Sequence, residues 1–346
     1  MLFQKKKEIK LNDKPKILFI ALNGIGDLIL ATPCFANIKK NLPESDVSVL
    51  TRSDSVGVVS NNPHIDNIII YPSKKTIFSR ILFLLKLRKT EYDISFYTYP
   101  NVNIMSALLS FLIGAKCRIN FDYKFFGVYC GFLNSVSIPV DLDKHDIEKN
   151  LDLLRALKLK IHSKKLFIKI KKADEIFVNN ILKGKIKKND VLIGMHVGSR
   201  EAKRIWSAEN FASLVEKLSQ DRRIKIILVG TSMEMSLIKN FDEFKIPNVI
   251  NILKKTTIPQ TTALIKKCRL FITTDSGPMH MAVAVGTKVI AVYLGAKIKR
   301  TAPFGKKHIV FLTNKSTYDE DTNKNHIYVD EVTPDMVYVQ VKKSLR

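Results

Sequence analysis

The sequence predicts an α/β chain made of two doubly wound domains facing across a cleft. Three observations carry that expectation. Short apolar runs of strand length alternate with helix-period segments along nearly the whole chain, the pattern of βαβ units and parallel sheets. The rhythm occurs twice, on either side of the Lys-rich stretch Lys164–Asn189. The length, 346 residues, suits about two domains at roughly 150 residues each. The expected division is 1–170, 171–330 and a C-terminal helix in 331–346 that is a candidate for returning to the first domain.

In the first half, Lys16–Leu22, Asp46–Leu50, Asn67–Tyr71 and Asp93–Tyr97 read as buried strands, because each is short and apolar. Helical patterns follow at Asp27–Leu42, Ile77–Lys89 and Val102–Ile113. Thr32-Pro33 is expected to bend or restart the first helix, since proline removes an N–H and crowds the preceding turn. In the second half, Val191–Val197, Lys225–Val229, Leu270–Thr274 and Lys288–Tyr293 are strand-like. Ala208–Leu218, Met233–Phe244, Pro259–Lys267 and Pro278–Val285 are helix-like. A last helix, Thr333–Ser344, opens on a Thr-Pro pair suited to the N-cap and the first helical position.

Lys plus Arg number 57 against 32 Asp plus Glu, a formal net charge of +25. Such charge favours anionic partners: nucleic acid, an anionic membrane face or a phosphorylated substrate. A generic solvated surface is the plainer alternative. Nucleic acid is disfavoured, because Lys is spread along the chain and aromatics make up only 9%, whereas strand-binding surfaces interleave clustered cations with rings. Cys34, Cys117, Cys130 and Cys268 form no C-x-x-C pair, so neither a disulfide framework nor a zinc knot is expected, and a reducing compartment is. Residues 1–15 are polar and basic, with no signal-like apolar core. The longest apolar stretch, Ile104–Ala115, falls short of the roughly 20 residues that span a bilayer. These features predict a soluble cytoplasmic chain.

Three clusters follow strand ends, where open α/β sheets place ligands. The first is Asn23-Gly24-Ile25-Gly26-Asp27. Gly24 and Gly26 match two glycines of a dinucleotide fingerprint, but Ile29 breaks the third, and an acid at the turn repels a pyrophosphate. Asp27 is either a base that takes a proton from an attacking hydroxyl or only a first-turn acid favourable to the helix dipole. The second is Asp275-Ser276-Gly277-Pro278-Met279-His280, a helix start whose free N–H groups suit a phosphate. Asp275 or Ser276 is expected to cap it. His280 either bonds a phosphate or leaving group, or packs against the sheet. The third is Gly198-Ser199-Arg200-Glu201-Ala202-Lys203-Arg204, followed by the one tryptophan, Trp206. Lys203 and Arg204 pair well with a diphosphate, with an exposed basic loop as the alternative. Glu234, beyond another strand end, is a candidate ribose contact or a helix first-turn acid. No metal-binding D-x-D motif stands in a convincing strand context; Asp141-Leu142-Asp143 follows a proline and a polar stretch.

Together these residues resemble glycosyltransferase family 9, the bacterial heptosyltransferases of lipopolysaccharide core assembly. The resemblance runs in order along nearly the whole chain: Lys16–Ile20 into Gly26-Asp27 and Thr32-Pro33, then Glu91-Tyr92-Asp93, Gly114-Ala115-Lys116, and His145 with Leu151, Leu153 and Leu154. It ends on Gly198, Lys203-Arg204-x-Trp206 and Asp275–His280 with Ala282 and Ala284. The resemblance implies a GT-B fold and an inverting, metal-independent transferase with no cofactor beyond a nucleotide-sugar co-substrate, usually ADP-heptose. It implies Asp27 as the general base and Asp275, Ser276, Gly277 and His280 as holders of the donor diphosphate. The family's Lys before Trp maps onto Lys203 or Arg204, because one extra residue separates Arg204 from Trp206. Gly198, Ser199 and Glu234 would support the donor. The implied acceptor is lipid-linked core or a related glycan, with peripheral contact to the anionic inner leaflet. Ile77–Lys89, where Arg80, Lys86 and Arg88 stand amid apolar residues, could touch that membrane; the plainer reading is a core-facing helix with a basic outer face. The rivals are a nicotinamide-dependent (NAD) oxidoreductase and a transferase of the same fold using another nucleotide-sugar.

Overall fold

A computed structural model describes residues 13–100, 102–125, 127–199, 201, 204–231, 234, 248–294, 298–313 and 325–346. The chain forms two compact units, Met1–Lys169 and Ile170–Arg346.

The first unit runs β1 (Lys16–Ala21), α1 (Ile25–Asn41), β2 (Asp46–Thr51), α2 (Val56–Val59), β3 (Asn67–Ile70), α3 (Ile77–Arg88), β4 (Ile94–Tyr97), α4 (Ile104–Ile113), β5 (Cys117–Phe121), the hairpin β6 (Tyr123–Phe125) and β7 (Val128–Cys130), β8 (Val136–Ile138) and α5 (Asp146–Arg155). Its sheet is parallel with order β3-β2-β1-β4-β5-β8. Central β1 is covered on both faces, so Ile17–Ala21 is an unbroken buried run rather than an alternating one. In register, Ile17 stands between Val47 of β2 and Ile94 of β4.

The second unit runs α6 (Lys172–Leu182), β9 (Val191–His196), α7 (Ala208–Ser219), β10 (Ile224–Leu228), β11 (Val249–Asn251), α8 (Ile258–Lys267), β12 (Leu270–Thr274), α9 (Gly277–Ala284), β13 (Lys288–Tyr293), α10 (Ile298–Thr301), β14 (Ile309–Leu312), β15 (His326–Tyr328) and α11 (Pro334–Leu345). Its sheet, β11-β10-β9-β12-β13-β14-β15, is also parallel and winds outward in both directions from β9 and β12. In each unit the strand order reverses between two central strands, β1 and β4 in one, β9 and β12 in the other. Loops leaving the carboxyl ends there frame a crevice.

Four expectations meet different outcomes. First, α1 passes through Pro33 without a restart. The carbonyl of Ile29, which a prolyl nitrogen cannot reach with an N–H, instead accepts from Thr32 Oγ1 at 2.6 Å. Second, the last helix lies in the second unit, with Val337 and Val341 in its core, and packs on α7. Third, α3 faces the core through Leu84 and Leu87, and its outer face mixes the exposed Lys86 and Arg88 with apolar residues. Leu84 and Leu87 enter the core, but Ile77, Phe78, Ile81, Leu82 and Leu85 are exposed. Fourth, the expected helix Met233–Phe244 lies, apart from Glu234, outside the described residues. No described helix is long and apolar enough to cross a membrane.

Candidate active site

At the first switch point, β1 feeds Asn23 and Gly24 into α1. Gly24 is the N-cap, in extended conformation, and its carbonyl accepts from Leu28 N–H at 3.0 Å. Asp27 is the third helical residue, and its Oδ2 accepts the N–H of Gly24 at 2.9 Å. The half-buried carboxylate therefore completes the turn that holds it, at the helix end where the dipole favours an anion. Asn23 Nδ2 donates to the carbonyl of Thr98 at 3.3 Å, tying the loop after β1 to the loop after β4.

Beneath these loops sits the head of α5. Lys149 Nζ lies 3.1 Å from Asp146 Oδ1, with both side chains out of solvent, and 4.5 Å from the centre of the Tyr99 ring. Asn150 Oδ1 accepts the N–H of Tyr99 at 3.0 Å. Cys34 on α1 donates through Sγ to the Asn150 carbonyl at 3.3 Å. Burial pushes that thiol well above the ordinary cysteine range. An inert structural thiol fits this position better than a nucleophile.

At the second switch point the two loops are stitched together directly. Thr274 Oγ1 donates to the carbonyl of Gly198 at 2.6 Å, and Ser199 Oγ to the carbonyl of Asp275 at 3.2 Å. Arg204 Nη1 donates to Asp275 Oδ2 at 3.0 Å while its Nη2 lies 2.6 Å from Glu201 Oε1. The Tyr293 hydroxyl donates to the Thr301 carbonyl at 2.7 Å and lies 3.3 Å from Asp275 Oδ1. Burial raises the Asp275 carboxyl above its ordinary value, against the pull of the Arg204 guanidinium.

Ser276 occupies the N-cap position of α9, but its side chain makes no capping bond; its Oγ lies 2.9 Å from Thr273 Oγ1 instead. The expected cap is therefore absent, and the first-turn amides, including those of Gly277 and Met279, receive nothing from that hydroxyl. His280 is on the same turn and is buried.

Glu234 is buried as well, and its carboxylate is clasped from two sides. Oε1 lies 3.4 Å from His196 Nε2, and Oε2 accepts from the N–H and Oγ1 of Thr231 at 2.6 and 2.8 Å. Burial opposes its ionisation, yet the His196 and Thr231 contacts outweigh it and pull the carboxyl down to about 2. Gly198 is required here, because a Cβ would stand 2.3 Å from Glu234 Oε1. Trp206 is buried, donates from Nε1 to the Val332 carbonyl at 2.8 Å and packs edge-on against Phe211.

The structure thus joins Gly198, Ser199, Arg204, Asp275, Ser276 and Glu234 around one switch point, and Gly24 with Asp27 around the other. Lys203 lies outside the described residues. Sequence reasoning missed His196, Thr274 and Tyr293, although a positional signal existed: each is the last residue of its strand, at the end where ligands bind. Among the described residues, no group of three or more His, Cys, Asp or Glu is placed to hold a metal ion.

Comparison with known proteins agrees with this architecture. Residues 81–328 match the model of glycosyltransferase family 9 (heptosyltransferase). Lipopolysaccharide heptosyltransferase 3 of Escherichia coli is 27% identical over 282 residues, covering 78% of this chain and 80% of that one. The crystal structure of a glycosyl transferase family 9 protein from Veillonella parvula superposes with a TM-score of 0.80 at 22% identity, over 98% of this chain and 99% of that one. The structure of E. coli ADP-heptose lipopolysaccharide heptosyltransferase II gives a TM-score of 0.76 at 18% identity, over 95% and 98%. The fold is GT-B, two Rossmann-like domains.

Proposed function

The chain belongs to glycosyltransferase family 9 and is a glycosyltransferase, and from that premise we propose that it moves a heptose from ADP-heptose onto a lipopolysaccharide core acceptor in the cytoplasm, by an inverting displacement that needs no metal. The observation that carries this reading is the start of α9. Its side-chain cap is turned away, and the loops around it are cross-tied by Thr274, Ser199 and Arg204. A helix N-terminus left open in this way suits the charge of a departing diphosphate. The named E. coli relatives support a heptose donor.

In this mechanism Asp27 takes the proton of the acceptor hydroxyl. The freed oxygen attacks the anomeric carbon from the face opposite the leaving group, and the bond to the diphosphate oxygen breaks, so configuration inverts. Gly24 and Gly26 let the acceptor approach the turn closely. The ADP leaves onto the amides at Gly277 and Met279, with His280 on the same turn. Arg204 is a positioning residue, because Asp275 and Glu201 already occupy its fork. Lys203 is therefore our choice for the diphosphate cation. In this reading Glu234, ionised and held by His196 and Thr231, accepts from the nucleoside ribose.

Thermal-shift protection by ADP, UDP, GDP and NAD tests the donor half. Ligand at 100 times its Kd stabilises by about 2.7 kcal/mol. Protection by ADP is expected. UDP or GDP preference keeps the fold but discards this donor, and NAD alone overturns the reaction class. Asp27→Asn should then cut kcat by about 10²–10⁴-fold while ADP protection persists, the range of general-base catalysis. Near-normal turnover in that variant removes Asp27 from the mechanism, and loss of turnover in a chelator removes metal independence.

A further inference from the structure

His196 is the last residue of β9, one of the two central strands of the second sheet, and it stands beside Thr273 of β12 in register. Its side chain is 7% exposed. Nε2 lies 3.4 Å from Glu234 Oε1, while Nδ1 is buried and has no hydrogen-bond partner among the described residues. A buried ring nitrogen without a partner is costly, and an apolar side chain of similar size would fill the position without that cost. The ring's contact with Glu234 is therefore what sets histidine apart from leucine or phenylalanine here.

Other features converge on the same carboxylate. Glu234 Oε2 accepts from both the N–H and the Oγ1 of Thr231. A Cβ on Gly198 would stand 2.3 Å from Oε1 and one on Gly230 2.9 Å from Oε2, so the loops leaving β9 and β10 both lack a side chain where they pass it. About a tenth of the Glu234 side chain, 10%, stays open to solvent. Each carboxylate oxygen carries two lone pairs. Thr231 uses both on Oε2. Among the described residues Oε1 meets only the imidazole, so it keeps one acceptor site, and the ring fixes where that site points.

We propose that His196 is a positioning residue for nucleotide selection: by holding Oε1 of Glu234 it aims one acceptor at one ribose hydroxyl of the donor nucleotide. Resting on the ribose contact proposed for Glu234, this role adds the residue that gives the contact its direction. Glu234 serves one hydroxyl rather than two, because only Oε1 has an acceptor site to spare. Without the imidazole the carboxylate keeps its Thr231 bonds but can swing about that anchored edge. The bond to the hydroxyl then has to fix a group that is already fixed in the wild-type chain, and affinity falls by that ordering cost.

The test is calorimetric titration of the full-length chain with ADP, 2′-deoxy-ADP and 3′-deoxy-ADP. In wild type one deoxy analogue should bind about tenfold or more weaker than ADP, the cost of leaving a charged acceptor without its donor, and the other within about threefold. His196→Leu should shrink the larger ratio to about threefold or less, chiefly by weakening ADP, because the analogue without the hydroxyl has no such bond to lose. His196→Gln, whose amide nitrogen can stand in for Nε2, should restore the ratio in part. A ring that only packs would weaken ADP and both analogues together and leave the ratio as in wild type, which overturns the proposal. So does His196→Gln discriminating no better than His196→Leu, or a loss of about tenfold with both analogues in wild type, which would give Glu234 two hydroxyls. Should His196→Leu not fold, His196→Ala takes its place with the same outcomes. Glu234→Ala separates this role from the ribose contact. If that variant loses discrimination while His196→Leu keeps it, the role of His196 falls and the ribose contact stands. If wild type binds no ADP or binds all three alike, or if Glu234→Ala discriminates like wild type, the ribose contact falls and the role of His196 with it.

Discussion

Both units wind their central strands in the same order, β3-β2-β1-β4-β5 in the first and β11-β10-β9-β12-β13 in the second. They anchor the loops above the switch point differently. In the first unit a single direct tie, Asn23 to the Thr98 carbonyl, is backed by remote support: α5 arrives from outside the sheet with a fully buried Asp146–Lys149 pair and holds the loop after β4 through Asn150. In the second the support is the loops themselves: Arg204, Ser199 and Thr274 tie one to the other across the crevice. Asp27 caps its own turn through the Gly24 N–H, while the start of α9 is framed on several sides.

The largest effect expected from this difference is in the first unit. Lys149→Met leaves the Asp146 carboxylate buried without its ammonium and should cost about 3–5 kcal/mol in urea unfolding. A cost under about 1 kcal/mol would mean that α5 is not the first unit's anchor. Next is Gly198→Ala. Its Cβ would stand 2.3 Å from Glu234 Oε1 and 2.7 Å from Glu234 Cγ, so the Glu234 side chain must move. Overpacking of this kind costs about 1–3 kcal/mol, and ADP protection should weaken with it. Arg204→Met should cost less than Lys149→Met, about 1–2 kcal/mol, because Arg204 is 31% exposed and Asp275 can take up a proton. Equal costs would erase the contrast between the two anchors.

The smallest effect is a pH dependence. Glu234 ionises at about 2 in the folded chain against an ordinary 4.5, so the unfolded chain binds the proton more readily. Its contribution is present above about 4.5 and is lost as pH falls towards about 2. The stability advantage of wild type over Glu234→Gln should shrink as pH falls through that window. An advantage that is constant with pH would place the carboxylate outside the His196 clasp.

The strands that the sequence makes plain are those covered on both faces, such as Ile17–Ala21 and Leu270–Thr274, because apolar residues run without alternation through their buried stretch. β5 is harder to see, since Arg118 sits in its second position, and β14 is only four residues long. The helix does not restart at Pro33, because Thr32 Oγ1 supplies the bond to the Ile29 carbonyl that proline cannot make, a compensation visible only once Thr32 is known to be buried. The family resemblance holds, and the Gly-Asp turn and the Asp-Ser-Gly helix start are legible from spacing. Their partners are not. Tyr293 reaches Asp275 because β13 lies beside β12, and His196 reaches Glu234 across the ends of β9 and β10; neither neighbour is encoded locally. Lys149 and Asp146, three apart on a helix, read like any solvated pair until the packing around them is seen.

Trp206 gives the second unit its own optical reporter. The chain has a single tryptophan, buried in that unit's core with its indole N–H held by the Val332 carbonyl. Indole emission therefore follows the melting of one half of the molecule, whereas far-ultraviolet dichroism follows both. If the halves unfold in separate steps, the two denaturation curves will part, and the order in which they part will name the weaker half.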